Sequence, residues 1–231
     1  MQFTMRNYLL VHGAWHGYWC WNTLLDMLDQ ESVVHTVKYP QLKSVDITLE
    51  DYVAHICRMI DNIDGQITLV GHSFAGFVIS EVACRYPERI SELIYINGFV
   101  PLEHESLLEL TPLLTSQHLT PYLVVDENNQ ELFLEPWSTV ETYMYNKTIK
   151  EDIPLNRLRP EPLKPLMGKV RLSAVFATIP KRAIISRDDL TLSMTDQIFM
   201  CQRYQMPYSL IDADHCPFIS APFKLAELIL S

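Results

Sequence analysis

Short apolar runs alternate with stretches of helical periodicity over the first hundred residues of this chain, and again over its last fifty. Asn7 to Val11 is almost wholly apolar and reads as a buried strand. It ends at His12-Gly13-Ala14, after which Trp15, Trp19, Asn22 and Leu25 begin a helical pattern. Val33 to Lys38 predicts a second strand, closed by Tyr39-Pro40. From Thr48 to Ile63, Leu49, Val53, Ile56, Ile60 and Ile63 recur at three and four, while Glu50, Asp51, Arg58 and Asp61 face water. Ile67 to Val70 predicts a strand, Phe74 to Tyr86 a helix stopped by Pro87, and Leu93 to Asn97 another strand. A strand, a helix and a strand joined by short turns is the unit from which a parallel sheet is built.

The regularity breaks between Pro101 and about Pro165. Leucine-rich helical pieces lead to an expected hairpin, Pro121–Val125 against Gln130–Phe133, followed by Trp137 to Lys147. An insertion of this length exceeds a simple crossover and predicts a cap over the strand ends. The sheet pattern then returns with a strand at Lys181–Ile185, a helix at Leu192–Gln205, a strand at Pro207–Ile211 and a closing helix at Phe218–Leu230. The expected fold is a three-layer α/β/α sandwich around a mainly parallel, six-stranded sheet. Residues 1–100 and 166–231 form its core, and 101–165 the cap.

The polar residues that interrupt this pattern gather at strand ends. Gly71-His72-Ser73-Phe74-Ala75-Gly76 follows the strand Ile67–Val70 and precedes a helix. A serine in so tight a turn, flanked by small residues, has its hydroxyl pushed out at the carboxyl edge of the sheet. The fifth position is Ala75 where glycine is usual, with Gly76 one step later. A serine hydroxyl needs a base, and the base needs an orienting acid. In this architecture both come from the ends of later strands, in the order serine, acid, histidine. His215, after the last strand, is the expected base. Asp188, after Ile185, is the expected acid in preference to Asp189, while Asp212 and Asp214 sit too close in sequence to His215. His12 should shape the first loop and His72 should point away from the nucleophile. An oxyanion would meet the amides of Phe74 and of Ala14, where Gly13 lets the backbone approach closely.

Composition narrows the partners. The formal net charge is −10, so a phosphate backbone finds no basic footprint and no nucleic-acid partner is expected. The same charge disfavours an anionic membrane surface, and no run approaches the roughly 20 apolar residues of a membrane span. Met1 to Arg6 enters an apolar run too short for a signal peptide. Five scattered cysteines without CxxC spacing suit reduced thiols in the cytoplasm. Neither a metal nor a nucleotide cofactor is implied, since ligand spacing and a Gly-x-Gly-x-x-Gly fingerprint are both missing.

Leu10-Val11-His12-Gly13-Ala14-Trp15-His16-Gly17-Tyr18-Trp19-Cys20-Trp21, the Ser73 turn, Leu158-Arg159-Pro160-Glu161-Pro162 and Asp212-Ala213-Asp214-His215-Cys216-Pro217-Phe218 together resemble the α/β-hydrolases of the plant methyl-esterase and hydroxynitrile-lyase group and its bacterial relatives. The resemblance implies that fold lacking its first two strands, a helical cap with a short antiparallel strand pair, and small substrates beneath it. Mapped on this sequence, it implies Ser73, Asp188 and His215 as the triad, and the Ala14 and Phe74 amides as the oxyanion hole. The lyases of the group carry a threonine and an isoleucine after the first-loop histidine, and a lysine after the catalytic histidine whose charge steadies cyanide. Here the residues are Gly13, Ala14 and Cys216. Hydrolysis of a small or medium apolar carboxylic ester is therefore expected. Lyase-type C–C cleavage and a non-catalytic ligand-binding role are the alternatives, and a homodimer is allowed for. Tyr122, Phe133, Trp137, Tyr143, Met144 and Tyr145 make the cap aromatic, either to line the pocket or to pack the cap on the sheet.

Overall fold

A computed structural model describes residues 6–28, 32–39 and 44–231, so Pro40 and Met1 to Met5 of the opening segment lie outside the described residues. Nine strands are present among the described residues: β1 (Arg6–Val11), β2 (Ser32–Thr36), β3 (Ile67–His72), β4 (Ile90–Ile96), β5 (Leu123–Asp126), β6 (Glu131–Leu134), β7 (Glu161–Pro162), β8 (Lys181–Ser186) and β9 (Tyr208–Ile211). Six of them form one sheet in the order β2-β1-β3-β4-β8-β9, with every neighbouring pair parallel. Parallel strands need crossovers, and the crossovers place helices on both faces.

That coverage explains why the strands are continuously apolar. Side chains alternate between the two faces, so each strand feeds two separate cores. Leu9, Val11, Leu69, Leu93 and Ile185 enter one core with Val53, Ile56, Phe77 and Val82 from helices. Tyr8, Leu10, Val70, Ile94 and Ile184 enter the other with Trp21, Leu24, Phe218 and Leu225.

The helix Leu49–Ile60 begins in a capping box, in which the Thr48 hydroxyl accepts from Asp51 N–H and the Asp51 carboxylate accepts from Thr48 N–H. It buries Val53, Ile56 and Ile60 as the spacing predicts, and ends three residues before Ile63. The segment expected to be one helix from Trp15 is a 3-10 turn, Tyr18–Trp21, followed by a single α-turn, Asn22–Leu25. The closing helix is split into Pro217–Ser220 and Pro222–Leu230. Pro222 offers no N–H and pushes Ala221 out of helical geometry, to ψ 50°.

Between β4 and β8 the chain builds a second, antiparallel sheet in the order β5-β6-β7. The expected hairpin is present with Leu123 opposite Leu134 and Asp126 opposite Glu131. The third strand, β7, was not expected, because two residues ending in a proline carry no periodicity.

Candidate active site

Strand β3 runs into the helix Ala75–Arg85 through Ser73, which holds φ at +53°, a left-handed conformation uncommon for a residue with a side chain. The strain is held in place by three backbone bonds. Ser73 N–H donates to the Ile96 carbonyl at 3.1 Å, and the Ser73 carbonyl accepts from Gly76 at 3.0 Å and Phe99 at 3.2 Å. Close packing explains the displaced glycine of the motif. A Cβ on Gly76 would lie 2.0 Å from the Phe99 carbonyl oxygen, so the steric demand falls on Gly76 and Ala75 is accommodated in the core. A Cβ on Gly13 would come within 2.9 Å of both His72 and Ser73, which draws the first loop tightly against the serine.

Ser73 Oγ lies 3.1 Å from His215 Nε2, and His215 Nδ1 lies 2.8 Å from Asp189 Oδ2. His215 and Asp189 are buried. With Nδ1–H donating to the carboxylate, Nε2 faces the Ser73 hydroxyl as an acceptor. The Asp189 carboxylate is held from all sides: Oδ1 accepts from the Thr191 and Leu192 amides at 2.8 Å each, and Oδ2 also accepts from Gln197 Nε2 at 3.0 Å.

The expected acid, Asp188, stands elsewhere. Its side chain is 47% exposed and pairs with Lys147 Nζ at 2.6 Å, away from the imidazole. Past the end of β8 the chain turns at Arg187 and Asp188, whose N–H groups donate to the Ile211 and Ala213 carbonyls. The turn leaves the Asp188 side chain exposed and brings Asp189 into the buried position beside His215. The one-residue difference between the two aspartates is set by this turn and its two bonds to the chain after β9.

The loop carrying His215 is fixed by Asn97, which neither motif nor spacing singles out, and by His72 and Asp214 from the two motifs themselves. Asn97, buried after β4 with φ +43°, donates through Nδ2 to the His215 carbonyl at 3.0 Å and the Asp214 carbonyl at 3.1 Å. Its Oδ1 accepts from the Ser186 amide at 2.8 Å, tying three strand ends together. A buried amide closing an apolar strand was the available signal. His72 Nε2 donates to the same His215 carbonyl at 2.9 Å, so this ring is committed to the backbone. Asp214 is fully buried and accepts from Cys216 N–H, Ser220 Oγ–H, Lys147 N–H and Thr148 Oγ1–H.

A cavity of about 290 Å³ opens over Ser73. Ala14 and Phe74 line it, and neither amide N–H donates to a protein acceptor among the described residues. Leu107, Leu108, Leu114 and Leu119 of the insertion line it together with the polar Thr111, Ser116, Gln117 and Thr120, and no charged side chain lines it. The aromatic residues of the insertion stand outside it. Tyr145 is buried with its hydroxyl 2.7 Å from His16 Nε2, and Tyr143 packs between His118 and Tyr122. Tyr122, Trp137, Tyr143 and Tyr145 pack against the second core and do not line the cavity.

Three histidines beside the site are kept neutral mainly by burial, with neighbouring imidazoles adding to the effect at His16 and His72. Burial lowers His12 to about 4 and His16 to about 3, and carries His72 well below its ordinary value. Glu161 moves the other way, raised by burial to about 7. In acid the unfolded chain takes protons at about pH 6.5 that the folded chain refuses, so stability falls as pH drops from 6.5 towards 4. For His12 the shift corresponds to ~3 kcal/mol. Glu161 acts with the opposite sign, losing stability as pH rises from about 4.5 to 7, but it is one group against three. Thermal melts are expected to show Tm falling steadily below pH 6.5, and a flat Tm down to pH 4 would contradict the neutral buried imidazoles.

Among the described residues no group of three His, Cys, Asp or Glu side chains is placed to hold a metal ion, and no helix is long and apolar enough to cross a membrane. Methylesterase 2 of Arabidopsis thaliana is 24% identical to this chain over 268 residues, covering 98% of the chain and 95% of that protein. A carbendazim-hydrolyzing esterase of Nocardioides sp. (strain SG-4G) is 36% identical over 119 residues, about half of either protein at 47% and 48%. The solved structure of a pyrethroid hydrolase from Sphingobium faniae JZ-2 superposes with a TM-score of 0.87 at 20% identity, over 98% of this chain and 96% of that one, a likeness of fold. Residues 8–228 match the model of the alpha/beta hydrolase family, and the chain belongs to that family.

Proposed function

We propose that the protein is a serine-type carboxylic ester hydrolase acting on small or medium apolar esters. One observation carries the reading: the hydrogen-bonded line Asp189–His215–Ser73 ends at an uncharged cavity lined by Ala14 and Phe74, whose amides have no protein acceptor among the described residues. Ser73 Oγ attacks the ester carbonyl while His215 Nε2 takes its proton. The oxyanion is received by the Ala14 and Phe74 amides, which need no reorganisation to do so. His215 then gives the proton to the leaving alcohol, and in the second half activates water against the acyl group on Ser73. Asp189, in the role first expected of Asp188, stabilises the imidazolium in both halves.

The insertion, residues 101–165, serves as the cap, its leucines selecting an apolar acyl group. A volume at the small end for ligand pockets favours a compact one. The relatives named as a methylesterase and a carbendazim-hydrolyzing esterase support ester cleavage. Five free cysteines, four of them buried, favour a reducing compartment, and we place the protein in the cytoplasm.

A panel of short-chain and aromatic methyl and p-nitrophenyl esters, run beside mandelonitrile, tests the assignment. Turnover of neutral esters is expected, with little on acids bearing a second charge, which this cavity cannot solvate. Release of benzaldehyde without ester turnover would favour lyase chemistry instead.

A further inference from the structure

The loop that offers the Ala14 amide is clamped from the insertion by a carboxylate that the mechanism does not use. Trp15 follows Ala14 and holds φ at +62°. Its N–H donates to Glu161 Oε2 at 3.1 Å, its carbonyl accepts from Arg159 N–H at 3.1 Å, and its indole Nε1–H donates to the Leu132 carbonyl at 3.0 Å. All three partners lie on or beside β6 and β7. The Ala14–Trp15 peptide is held at its other end too, since the Ala14 carbonyl accepts from His16 Nδ1 at 2.8 Å. The preceding peptide is held by its carbonyl alone, with Gly13 O accepting from His12 Nδ1 at 3.0 Å. Its N–H, that of Ala14, has no protein acceptor among the described residues, and Ala14 lines the cavity. The direction of that N–H is thus set by two anchored peptides, and Glu161 supplies the anchor furthest along the chain.

Glu161 is an expensive anchor. It is 6% exposed, and among the described residues no Lys, Arg or His pairs with it. Its other oxygen accepts from the Tyr52 hydroxyl at 3.2 Å, and Tyr52 is stacked on Tyr39 at 3.8 Å. A buried carboxyl without a cation is costly wherever packing alone would serve.

We propose that Glu161 is a positioning residue for catalysis: through the Trp15 N–H it aims the Ala14 amide at the oxyanion, coupling the insertion to the chemistry. The inference rests on the hydrolase reading above. A misaimed oxyanion donor is felt mainly in the transition state, so its loss appears in kcat and leaves KM nearly unchanged. Glu161→Ala is expected to lower kcat by about 10- to 100-fold, below the cost of deleting an oxyanion donor outright, with KM within about 3-fold. Glu161→Met keeps the bulk without an acceptor and should lose as much, which supplies the test should the alanine variant fail to fold. Glu161→Gln retains an oxygen for the Trp15 N–H and is expected to restore kcat to within about 3-fold. Wild-type kcat in folded Glu161→Met, a rise in KM alone, or an equal loss in Glu161→Gln would each overturn the proposal. Ser73→Ala is run in parallel. If it keeps full activity the hydrolase reading itself fails; if it is inactive, the Glu161 variants decide the role of Glu161 by themselves.

Discussion

Purified Ser73→Ala is expected to fold as the parent does and to lose ester turnover by about five to six orders of magnitude. The size follows from the lack of a substitute. Among the described residues the Ser73 hydroxyl is the one oxygen within hydrogen-bond reach of His215 Nε2, so on the proposed mechanism its deletion leaves only the slow attack of water on the bound ester. Folding should survive because the strained turn is held by backbone groups. The bonds from Ser73 N–H to Ile96 and from Gly76 and Phe99 to the Ser73 carbonyl are all available to alanine. Stopped or burst kinetics with a p-nitrophenyl ester, beside a thermal melt, separate loss of chemistry from loss of fold. Near-parental turnover would remove Ser73 as the nucleophile.

The second large effect separates two adjacent aspartates. Asp189→Asn is expected to cost about 10,000-fold in kcat, because an amide in place of the carboxylate no longer holds His215 in the tautomer that leaves Nε2 free to accept. Asp188→Asn should change kcat little. It removes an exposed ion pair with Lys147, a class of contact contributing at most about 1 kcal/mol to stability. The comparison is sharp since the two side chains differ by one position and by complete burial. A large loss in Asp188→Asn with full activity in Asp189→Asn would return the acid to Asp188 and leave the serine mechanism standing.

Much of the site was legible because it is carried by local sequence. The turn at Ser73 is written in small residues directly after a buried strand, and His215 lies just past the last strand of a repeating pattern. What escaped was carried by contacts distant in sequence. Asn97 joins β4 to residues nearly 120 positions away, and β7 exists only because β6 lies beside it. The insertion illustrates the same limit. Its aromatic residues stand out in composition, yet its share of the cavity lining is leucines with Thr111, Pro112, Ser116, Gln117 and Thr120, since which face a ring takes depends on neighbours that periodicity does not name.

By itself the sequence determined the strand and helix alternation, the parallel sheet and the edge at which the polar residues gather. Those depend on burial patterns with periods of two and 3.6 residues, which are local properties of the chain. Tertiary structure alone decided which aspartate meets His215, which glycine the elbow requires and which insertion residues reach the serine. Each of these turns on a displacement of one residue or a few ångströms, set by the pairing of Asp188 with Ala213 and by the approach of Phe99 to Gly76. Such contacts are fixed by the packing of elements far apart in the chain, and no periodicity within one segment encodes them.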